Sequence, residues 1–507
     1  MPGLRVLAAG CLVGAAVSLL LFLGSASPGV AAATGSNKTI LPFVPGGNRP
    51  HATSTPAATA TPAPTGTAGA TATPTAAPTT PLRRVNVPAF DSTVDPAQAA
   101  VFWFGRVDDT SGYADVRLGY TSSELYVNVT AIDRRLWYQS GLTAPSPALT
   151  TYDSASLFLN LTGNSGSAPT GSSYRFDGGL SWWETARTAY QASFVGTRSA
   201  WVPSLASFAT ESGWRGNAPN DDLDDKGWTL TYHIPFSSLG LSGPPTAGTI
   251  WGLGVQLHNR DDGVGTAIAD QVWPAGLAPT NPASWGQLRF GLPTYTSTPT
   301  ATGSTTVRQG LDGASVPDGQ VGGYTDCGAA AASTNYFPTW GGLSYPGYAN
   351  FNVQNESDVS DWPCFSRTYV SFPLTGVPAG KTIVSAQLTL HQFGGSGNGD
   401  SSLVQVFTVD QAWDPASLTW NNAPPARENV SQAWVAPLPT FPGWPGVARQ
   451  WDLGYAVAQA YAAGDPVLRL AVYTADTNYN SGKYFVSSET GDWNAAGRPT
   501  LQINWAG

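Results

Sequence analysis

The aromatic side chains of this sequence are the groups best suited to recognise a ligand. The chain of 507 residues contains 19 tryptophans. An indole ring has a flat apolar face that can stack against the apolar C–H face of a pyranose, while neighbouring polar groups fix the sugar hydroxyls. Trp182 and Trp183 are adjacent, so on a strand one of the two side chains must face outward. With Trp273, in the segment DQVWPAG, they are ligand-binding candidates, and the alternative for all three is ordinary packing.

A second aromatic group lies in a glycine-rich segment, TWGGLSYPGYANF. Its ligand-binding candidates are Trp340, Tyr345 and Tyr348. A loop this rich in aromatic residues, without a strand pattern, is either a binding rim or a flap packed over the core. A disulfide between Cys327 and Cys364 would pin such a flap, and an even pair of cysteines in one exported module usually forms a structural bridge. A catalytic thiol is the competing interpretation, but histidine is scarce, with 4 in the chain.

Two acidic loops offer oxygen ligands of the kind that Ca²⁺ prefers. NDDLDDKG spans residues 220–227, and NRDDG spans residues 259–263. Calcium takes about six to eight oxygens, which clustered carboxylates on glycine-flanked loops can supply. The sequence has no EF-hand spacing, so solvated surface loops are the alternative. The candidate metal ligands are Asp221, Asp222, Asp224 and Asp225.

Short β-strands are the elements that must position these groups. In the C-terminal region apolar and polar residues alternate, which is the period-two pattern of a half-buried strand. Residues of the apolar phase include Val384, Ala386, Leu388, Leu390, Leu468, Leu470, Val472, Leu501, Ile503 and Trp505. Residues 454–464, GYAVAQAYAAG, are predicted to be helical, with a glycine placed to end the helix. One short helix among many strands favours a jelly-roll sandwich.

The region before it, residues 85–293, carries the same alternation and predicts another β-sandwich. Its apolar positions include Trp228, Leu230, Tyr232, Ile234, Trp251, Leu253, Val255 and Leu257. A single β domain can reach about 200 residues. The fold class is therefore all-β, with two tandem jelly-roll-like sandwiches at residues 85–293 and 307–507 and a linker at 294–306.

The first 84 residues are predicted to lie outside these sandwiches. Residues 1–33 have a basic start at Arg5, a long apolar run and a terminal VAAA, which indicate a signal peptide. Because the apolar run approaches the length of a membrane span, an uncleaved anchor is the alternative. Residues 34–84 are rich in Thr, Ala and Pro and predict a disordered, semi-stiff linker. The rest of the chain is then extracellular, secreted or tethered at the cell surface.

Composition excludes some classes of function. The formal net charge of −9 argues against nucleic-acid binding, which needs a basic surface. Charged residues make up 11% of the chain, with 57 glycines and 41 prolines, as in a turn-rich exported β protein. After the N-terminal run no second apolar span follows, so no further membrane contact is expected.

Three C-terminal segments, taken in order, resemble a known family. RTYVSFPLTGVPAGKTIVSAQLTLHQF, DQAWDPASLTWNNAPP and KYFVSSETGDWNAAGRPTLQINW resemble the DNRLRE modules of secreted proteins, grouped with carbohydrate-binding module family 96. The resemblance covers roughly residues 306–507. It implies attachment to a surface glycan rather than catalysis.

The first sandwich resembles a different family. SELYVNVTAID, YDSASLFLNL, KGWTLTYHIPFSSLGL, GTIWGLGVQLHNRDD and SWGQLRFG are similar to carbohydrate-binding module family 9-like, or DOMON-type, domains. The resemblance implies that Trp183 and Trp273 are the two tryptophans that hold the sugar, and it favours structural calcium. Haem, which some DOMON relatives carry on Met and His, is not expected because the initiator is the sole methionine. No nucleotide is expected either.

The sequence thus predicts a non-catalytic, extracellular protein that binds a polysaccharide or a cell-wall glycan. Because such modules accompany hydrolases and lyases, a glycan-processing enzyme is the first alternative. The two resemblances and the linkers use up the chain and leave no room for a separate catalytic domain. A structural cell-surface stalk without a glycan ligand is the second alternative.

Overall fold

The structure, a computed structural model, describes residues 82–183, 186–329, 336–396 and 400–507. Within these ranges the fold is all-β, and the α-helices are short: α1 is Phe337–Trp340 and α2 is Gly454–Ala463. The second of these confirms the predicted helix at residues 454–464. No helix of the described part is long and apolar enough to cross a membrane. The predicted signal peptide and nearly all of the linker at 34–84 lie outside the described residues.

The first sandwich consists of two sheets that pack face to face. Its larger sheet is formed by β1 (Arg84–Val87), β5 (Ser154–Asn160), β6 (Ser173–Gly179), β7 (Gln191–Gly196), β8 (Trp201–Pro203), β11 (Ile250–His258), β12 (Gln271–Trp273) and β13 (Gly286–Phe290). The smaller sheet contains β2 (Ala100–Gly105), β3 (Tyr113–Tyr120), β4 (Glu124–Ile132), β9 (Ala209–Arg215) and β10 (Gly227–Pro235). The smaller sheet has the order β2-β3-β4-β10-β9, so β9 is an edge strand.

The core of the first sandwich follows from strand register. β4 and β10 are antiparallel, from Gly227 opposite Ile132 to Pro235 opposite Glu124. Every second residue therefore points to the larger sheet. These inward side chains are each at most 1% exposed, and they are Leu125, Val127, Val129, Trp228, Leu230, Tyr232 and Ile234. The alternation seen in the sequence is thus confirmed as a buried face.

The second sandwich is built in the same way. One of its sheets is formed by β15 (Asp318–Gly322), β17 (Ser366–Pro373), β19 (Ser402–Thr408), β20 (Glu428–Val435) and β22 (Val467–Thr474). The other contains β14 (Gly303–Arg308), β16 (Asn350–Val353), β18 (Thr382–Gly395), β21 (Val447–Asp452), β23 (Lys483–Val486) and β24 (Thr500–Ala506). Long β18 pairs with β21, β23 and β24. The face between the two sheets holds an apolar core that includes Leu388, Leu390, Leu470 and Val472.

One continuous sheet joins the two sandwiches. β1 of the first runs parallel to β20 of the second, with Arg84 opposite Glu428. Beyond that pair, the backbone N–H of Asn86 donates to Oδ1 of Asn429 over 2.7 Å, and Nδ2 of Asn429 donates back to the carbonyl of Asn86 over 2.9 Å. Among the described residues, the shared sheet therefore runs from β15 to β8 through this junction.

Aromatic side chains fill a second contact between the sandwiches. Trp103 on β2 lies edge-on to Phe407 and Tyr473 of the second sandwich, at centroid distances of 5.1 and 5.6 Å. The guanidinium of Arg367 lies 3.9 Å from the ring centroid of Trp420 and 4.5 Å from that of Trp103. All described residues belong to one compact unit. The two sandwiches therefore share a core as well as a sheet.

The segment predicted as a linker at 294–306 is partly structured. Its last residues, from Gly303, form β14 and pair with β24. Earlier in the segment, the hydroxyl of Tyr295 donates to the carbonyl of Ile383 over 2.6 Å. Composition suggested a loose connection here, but pairing with β24 supplies the backbone hydrogen bonds that order it.

Candidate functional site

The first predicted site, around Trp182 and Trp183, is an exposed tryptophan cluster. Trp183 is 80% exposed and Trp182 is 36% exposed. Trp214, on the edge strand β9, completes the cluster, with ring centroids 5.3 Å from Trp183 and 6.1 Å from Trp182. Sequence reasoning missed Trp214, which lies opposite Trp228 in the register of β9 and β10. We call these three residues the first-sandwich cluster.

The backbone of Trp183 is strained, and a group of hydrogen bonds lies beside the cluster. Trp183 has φ of 57°, in the left-handed region that a non-glycine residue enters at a cost of about 1 to 3 kcal/mol. Beside it, the hydroxyls of Ser181 and Ser212 lie 3.1 Å apart, and Nη1 of Arg187 donates to Ser181 over 2.9 Å. Glu211, the residue before Ser212 on β9, points to the opposite face of the sheet, where it lies 4.0 Å from His233. Aromatic faces and hydrogen-bonding groups thus occur side by side.

Trp273 does not belong to this cluster, which corrects the prediction for it. It is 2% exposed, and its ring stacks on Phe102 at a centroid distance of 4.0 Å. The flanking proline and glycine suggested a loop, but Trp273 ends β12, which pairs with β11. Pairing turns the ring into the core. Trp183 and Trp273 therefore do not form the two walls of one exposed sugar site.

Trp340 is also a core residue, contrary to the prediction. Its exposed fraction is 0%, and its ring centroid lies 4.9 Å from that of Trp420. The indole N–H donates to the carbonyl of Pro363 over 2.9 Å. Helix α1 directs the side chain inward, so this part of the glycine-rich segment packs as a flap. Cys327 and Cys364 form a disulfide next to it.

The tyrosines of the same segment lie at the surface. Tyr348 is 46% exposed, and its ring centroid lies 4.9 Å from that of Tyr324. Tyr345 stacks on Tyr324 at 5.1 Å and donates its hydroxyl to the carbonyl of Gly322 over 2.6 Å. Tyr345 and Tyr348 line a shallow depression with polar walls, whose other residues include Asp318, Gln320, Asn350 and Glu489. Burial raises the pKa of Asp318 to about 7.

The acidic loop at 220–227 does not fit a calcium site. Asp224 is ion-paired with Arg134 at 2.7 Å, and Asp222 lies 3.8 Å from Arg135. Asp221 accepts the backbone N–H of Leu223 over 2.8 Å. Asp225 is 5% exposed, and burial raises its pKa to about 7. Nowhere in the described ranges do three or more Asp, Glu, His or Cys side chains converge as metal ligands.

A further aromatic group appears in the second sandwich, where sequence reasoning placed no site. Phe441, Trp444 and Trp493 are 45%, 47% and 62% exposed. The ring centroids of Phe441 and Trp444 lie 5.1 Å apart, and those of Trp444 and Trp493 lie 5.0 Å apart. We call these three residues the aromatic patch. The available signal was an aromatic residue between turn formers, as in FPGWPG and TGDWN.

Comparison with known proteins bears on the second sandwich. Residues 344–504 match the model of carbohydrate-binding module family 96. No curated protein matches the chain. Among solved structures, a carbohydrate-binding module family 9 from Caldicellulosiruptor kristjanssonii in complex with glucose is 16% identical, covering 43% of this chain and 100% of its own, at a TM-score of 0.29. Its complex with cellotriose is 18% identical, covering 43% of this chain and 99% of its own, also at 0.29.

The aromatic patch and the tyrosine-lined depression both contain residues from the matched segment 344–504. The first-sandwich cluster lies outside it. Within this chain, therefore, residues 344–504 are the part similar to carbohydrate-binding module family 96.

Proposed function

We propose that this protein is a non-catalytic carbohydrate-binding protein that attaches to a polysaccharide. The observation that carries the proposal is the first-sandwich cluster, in which the ring of Trp183 is 80% exposed beside Trp214. Burying so large an apolar side chain would be favourable by about 1.5 to 3 kcal/mol, so its exposure indicates a surface kept free for a ligand. The match of residues 344–504 to carbohydrate-binding module family 96 supports the same class of ligand.

The geometry of the cluster suits a sugar ring. The plane of Trp183 makes an angle of 80° with that of Trp214. The two rings thus form a corner, in which one face can stack on a pyranose while the other ring closes its side. Beside the rings, the hydroxyls of Ser181 and Ser212 can exchange hydrogen bonds with the hydroxyls of a sugar.

Attachment outside the cell is part of the proposal. The apolar N-terminal run and the Thr/Ala/Pro-rich stretch support export and a tether that holds the sandwiches away from a surface. The disulfide between Cys327 and Cys364 is consistent with an oxidising compartment. A cell-wall glycan is then the natural ligand class.

The test is a glycan array probed with the whole chain and two variants. We expect Trp183→Ala to weaken binding at least about fivefold, because truncation of a central aromatic contact typically costs more than about 1 kcal/mol. Trp434→Ala is the matched control, since Trp434 is 51% exposed and lies outside the first-sandwich cluster. It should bind as the wild type does.

Two results would overturn the proposal. A wild-type chain that binds no glycan would favour the structural stalk. Release of sugar products from any polysaccharide on the array would favour the glycan-processing enzyme.

A further inference from the structure

We infer that the aromatic patch is a second carbohydrate-binding site, which takes a single, soluble polysaccharide chain. The inference rests on the proposed function and adds a site and a form of ligand to it. It starts from Phe441, Trp444 and Trp493, which come from two separate segments and meet on the outer side of the sheet that contains β18.

The patch is assembled by the two flanks of β18. Phe441 and Trp444 precede β21, which pairs with one side of β18, and Val447 at the start of β21 lies opposite Gln392. Trp493 lies in the turn between β23 and β24, the strands that pair with the other side of β18. Beneath the rings, Phe393 of β18 is 6% exposed and lies 5.4 Å from Trp444. The patch thus rests on a fixed strand.

Both segments are held in place by hydrogen bonds. Arg449 donates from Nε to Oε1 of Gln392 over 2.9 Å and from Nη2 to the carbonyl of Ala436 over 3.1 Å, which ties the first segment down. Arg498 donates from Nη2 to the carbonyl of Thr490 and to Asp492, each over 2.7 Å, which fixes the turn that carries Trp493. The rings therefore keep their positions without a ligand, which lowers the entropy cost of binding.

The exposure of the patch indicates a ligand. Three neighbouring aromatic rings that are 45% to 62% exposed form a contiguous apolar surface, and such surfaces on soluble domains are commonly interaction sites. The patch also lies within residues 344–504, which match carbohydrate-binding module family 96. A sugar chain is thus the occupant that both observations favour.

Polar partners for sugar hydroxyls lie close to the patch. The side chain of Asp492, next to Trp493, is 95% exposed and is ion-paired with Arg498 over 2.7 Å. Hydroxyl partners are also available nearby, where the hydroxyls of Ser396 and Tyr484 lie 3.0 Å apart and the Tyr484 ring lies 6.4 Å from Phe393.

Ring orientation selects a single chain rather than a crystalline surface. The planes of Phe441 and Trp444 meet at 69°, and those of Trp444 and Trp493 meet at 79°. Rings so tilted cannot all lie flat against one planar crystal face. They can contact successive sugars of a free chain, whose rings turn relative to one another.

The experiment is affinity electrophoresis of the whole chain in soluble mixed-linkage β-glucan, xyloglucan, galactomannan and polygalacturonate, with sedimentation on microcrystalline cellulose alongside. We compare the wild type, Trp444→Ala/Trp493→Ala, Trp493→Ala, Trp183→Ala and the control Trp434→Ala. At least one of these soluble polysaccharides should bind the wild type, and the double variant should bind it at least about tenfold more weakly, whereas the control should be unchanged. Thermal unfolding identifies any variant that fails to fold. Trp493→Ala, in a surface turn, then replaces the double variant.

The outcomes separate the two sites. If Trp183→Ala loses binding but folded variants of the patch bind as the wild type does, the second site is refuted and the proposed function stands. If the patch variants lose binding to crystalline cellulose as much as to soluble chains, the single-chain form is refuted. If none of the polysaccharides binds the wild type, the second site is refuted, and the glycan array alone decides the proposed function.

Discussion

Arg367 shows how a single buried charge holds the contact between the two sandwiches. It is 1% exposed, and its Nη1 donates to the hydroxyl of Tyr113 over 2.7 Å. That hydroxyl in turn donates to Asp115 over 2.7 Å, so cation and carboxylate are linked through a tyrosine. The flanking rings of Trp103 and Trp420 add cation–π attraction. The buried guanidinium is therefore hydrogen-bonded and flanked by aromatic rings rather than left without partners.

Truncating this residue should destabilise the protein strongly. Arg367→Ala removes the hydrogen-bond donor to the buried Tyr113 hydroxyl and opens a cavity between the indoles, while Asp115 keeps Arg117 as its ion-pair partner at 4.0 Å. We expect the free energy of unfolding to fall by about 2 to 5 kcal/mol, as for other large-to-small changes in a core, measured by urea denaturation. The control is Arg106→Ala, at an exposed arginine, which should change stability by less than about 0.5 kcal/mol. Equal losses in the two variants would contradict the role assigned to Arg367.

Asp318 makes stability depend on pH. Burial raises its pKa to about 7, whereas an unfolded aspartate titrates near 3.9. The folded state therefore binds a proton that the unfolded state has released, so the free energy of unfolding falls as pH rises from about 4 to about 7. Asp225 and Glu356 also have pKa values raised to about 7, mainly by burial, and add in the same direction.

Replacing Asp318 isolates its share of this effect. Asp318→Asn cannot titrate, so its loss of stability between pH 4 and pH 7 should be smaller than that of the wild type. Urea denaturation at each pH measures the slope. Ser304→Ala, at an exposed residue that does not titrate, is the control and should keep the wild-type slope. A steeper slope in Asp318→Asn would show that the pKa is not raised in the folded state.

At the scale of elements, the strands and the helix could be predicted because the buried face of each element requires apolar residues at regular spacing in the sequence. Leu388 and Leu390 alternate with polar neighbours because one face of β18 meets the core. The prediction for Trp273 was wrong. A flanking proline and glycine suggested an exposed loop, but Trp273 lies on β12, whose pairing with β11 turns the ring into the core. The aromatic patch could not be predicted because Trp444 and Trp493 are brought together by two different loops, and loops have no regular spacing of apolar residues in the sequence.

The end of α2 offers a clean test of a backbone requirement. Gly464 has φ of 73° and closes the helix in the left-handed conformation. A Cβ at this position would meet nothing within 4 Å, so Gly464→Ala changes backbone strain alone. We expect a loss of about 1 kcal/mol in the free energy of unfolding. Gly171→Ala, equally free of contacts but without a positive φ, is the control and should be neutral or slightly stabilising. A neutral Gly464→Ala would contradict the strain argument.

At the scale of the whole molecule, the two sandwiches were visible in the sequence but their fusion was not. The parallel pair of β1 and β20 joins strands 344 residues apart, from Arg84 to Glu428. Nothing in a local pattern reports such a pairing. Trp103 on β2 and Tyr113 on β3 point away from the core of the first sandwich, where side chains are expected to be exposed to solvent. They are only 2% and 1% exposed because the second sandwich covers them.

This fusion predicts that each sandwich alone is less stable than the whole chain. Cutting the chain near residue 300 would expose Trp103, Trp420 and Tyr473, which are each at most 2% exposed, and would leave Arg367 without Tyr113. We expect the whole chain to unfold in one cooperative transition, monitored by both tryptophan fluorescence and circular dichroism. Fragments 82–300 and 301–507 should each unfold at lower urea, or bind a hydrophobic dye without folding. Two separate transitions in the whole chain, matching those of the fragments, would instead show independent domains.

Cooperative unfolding would mean that the first-sandwich cluster and the aromatic patch lie on one rigid body. Binding at one site would then hold a polysaccharide at high local concentration near the other.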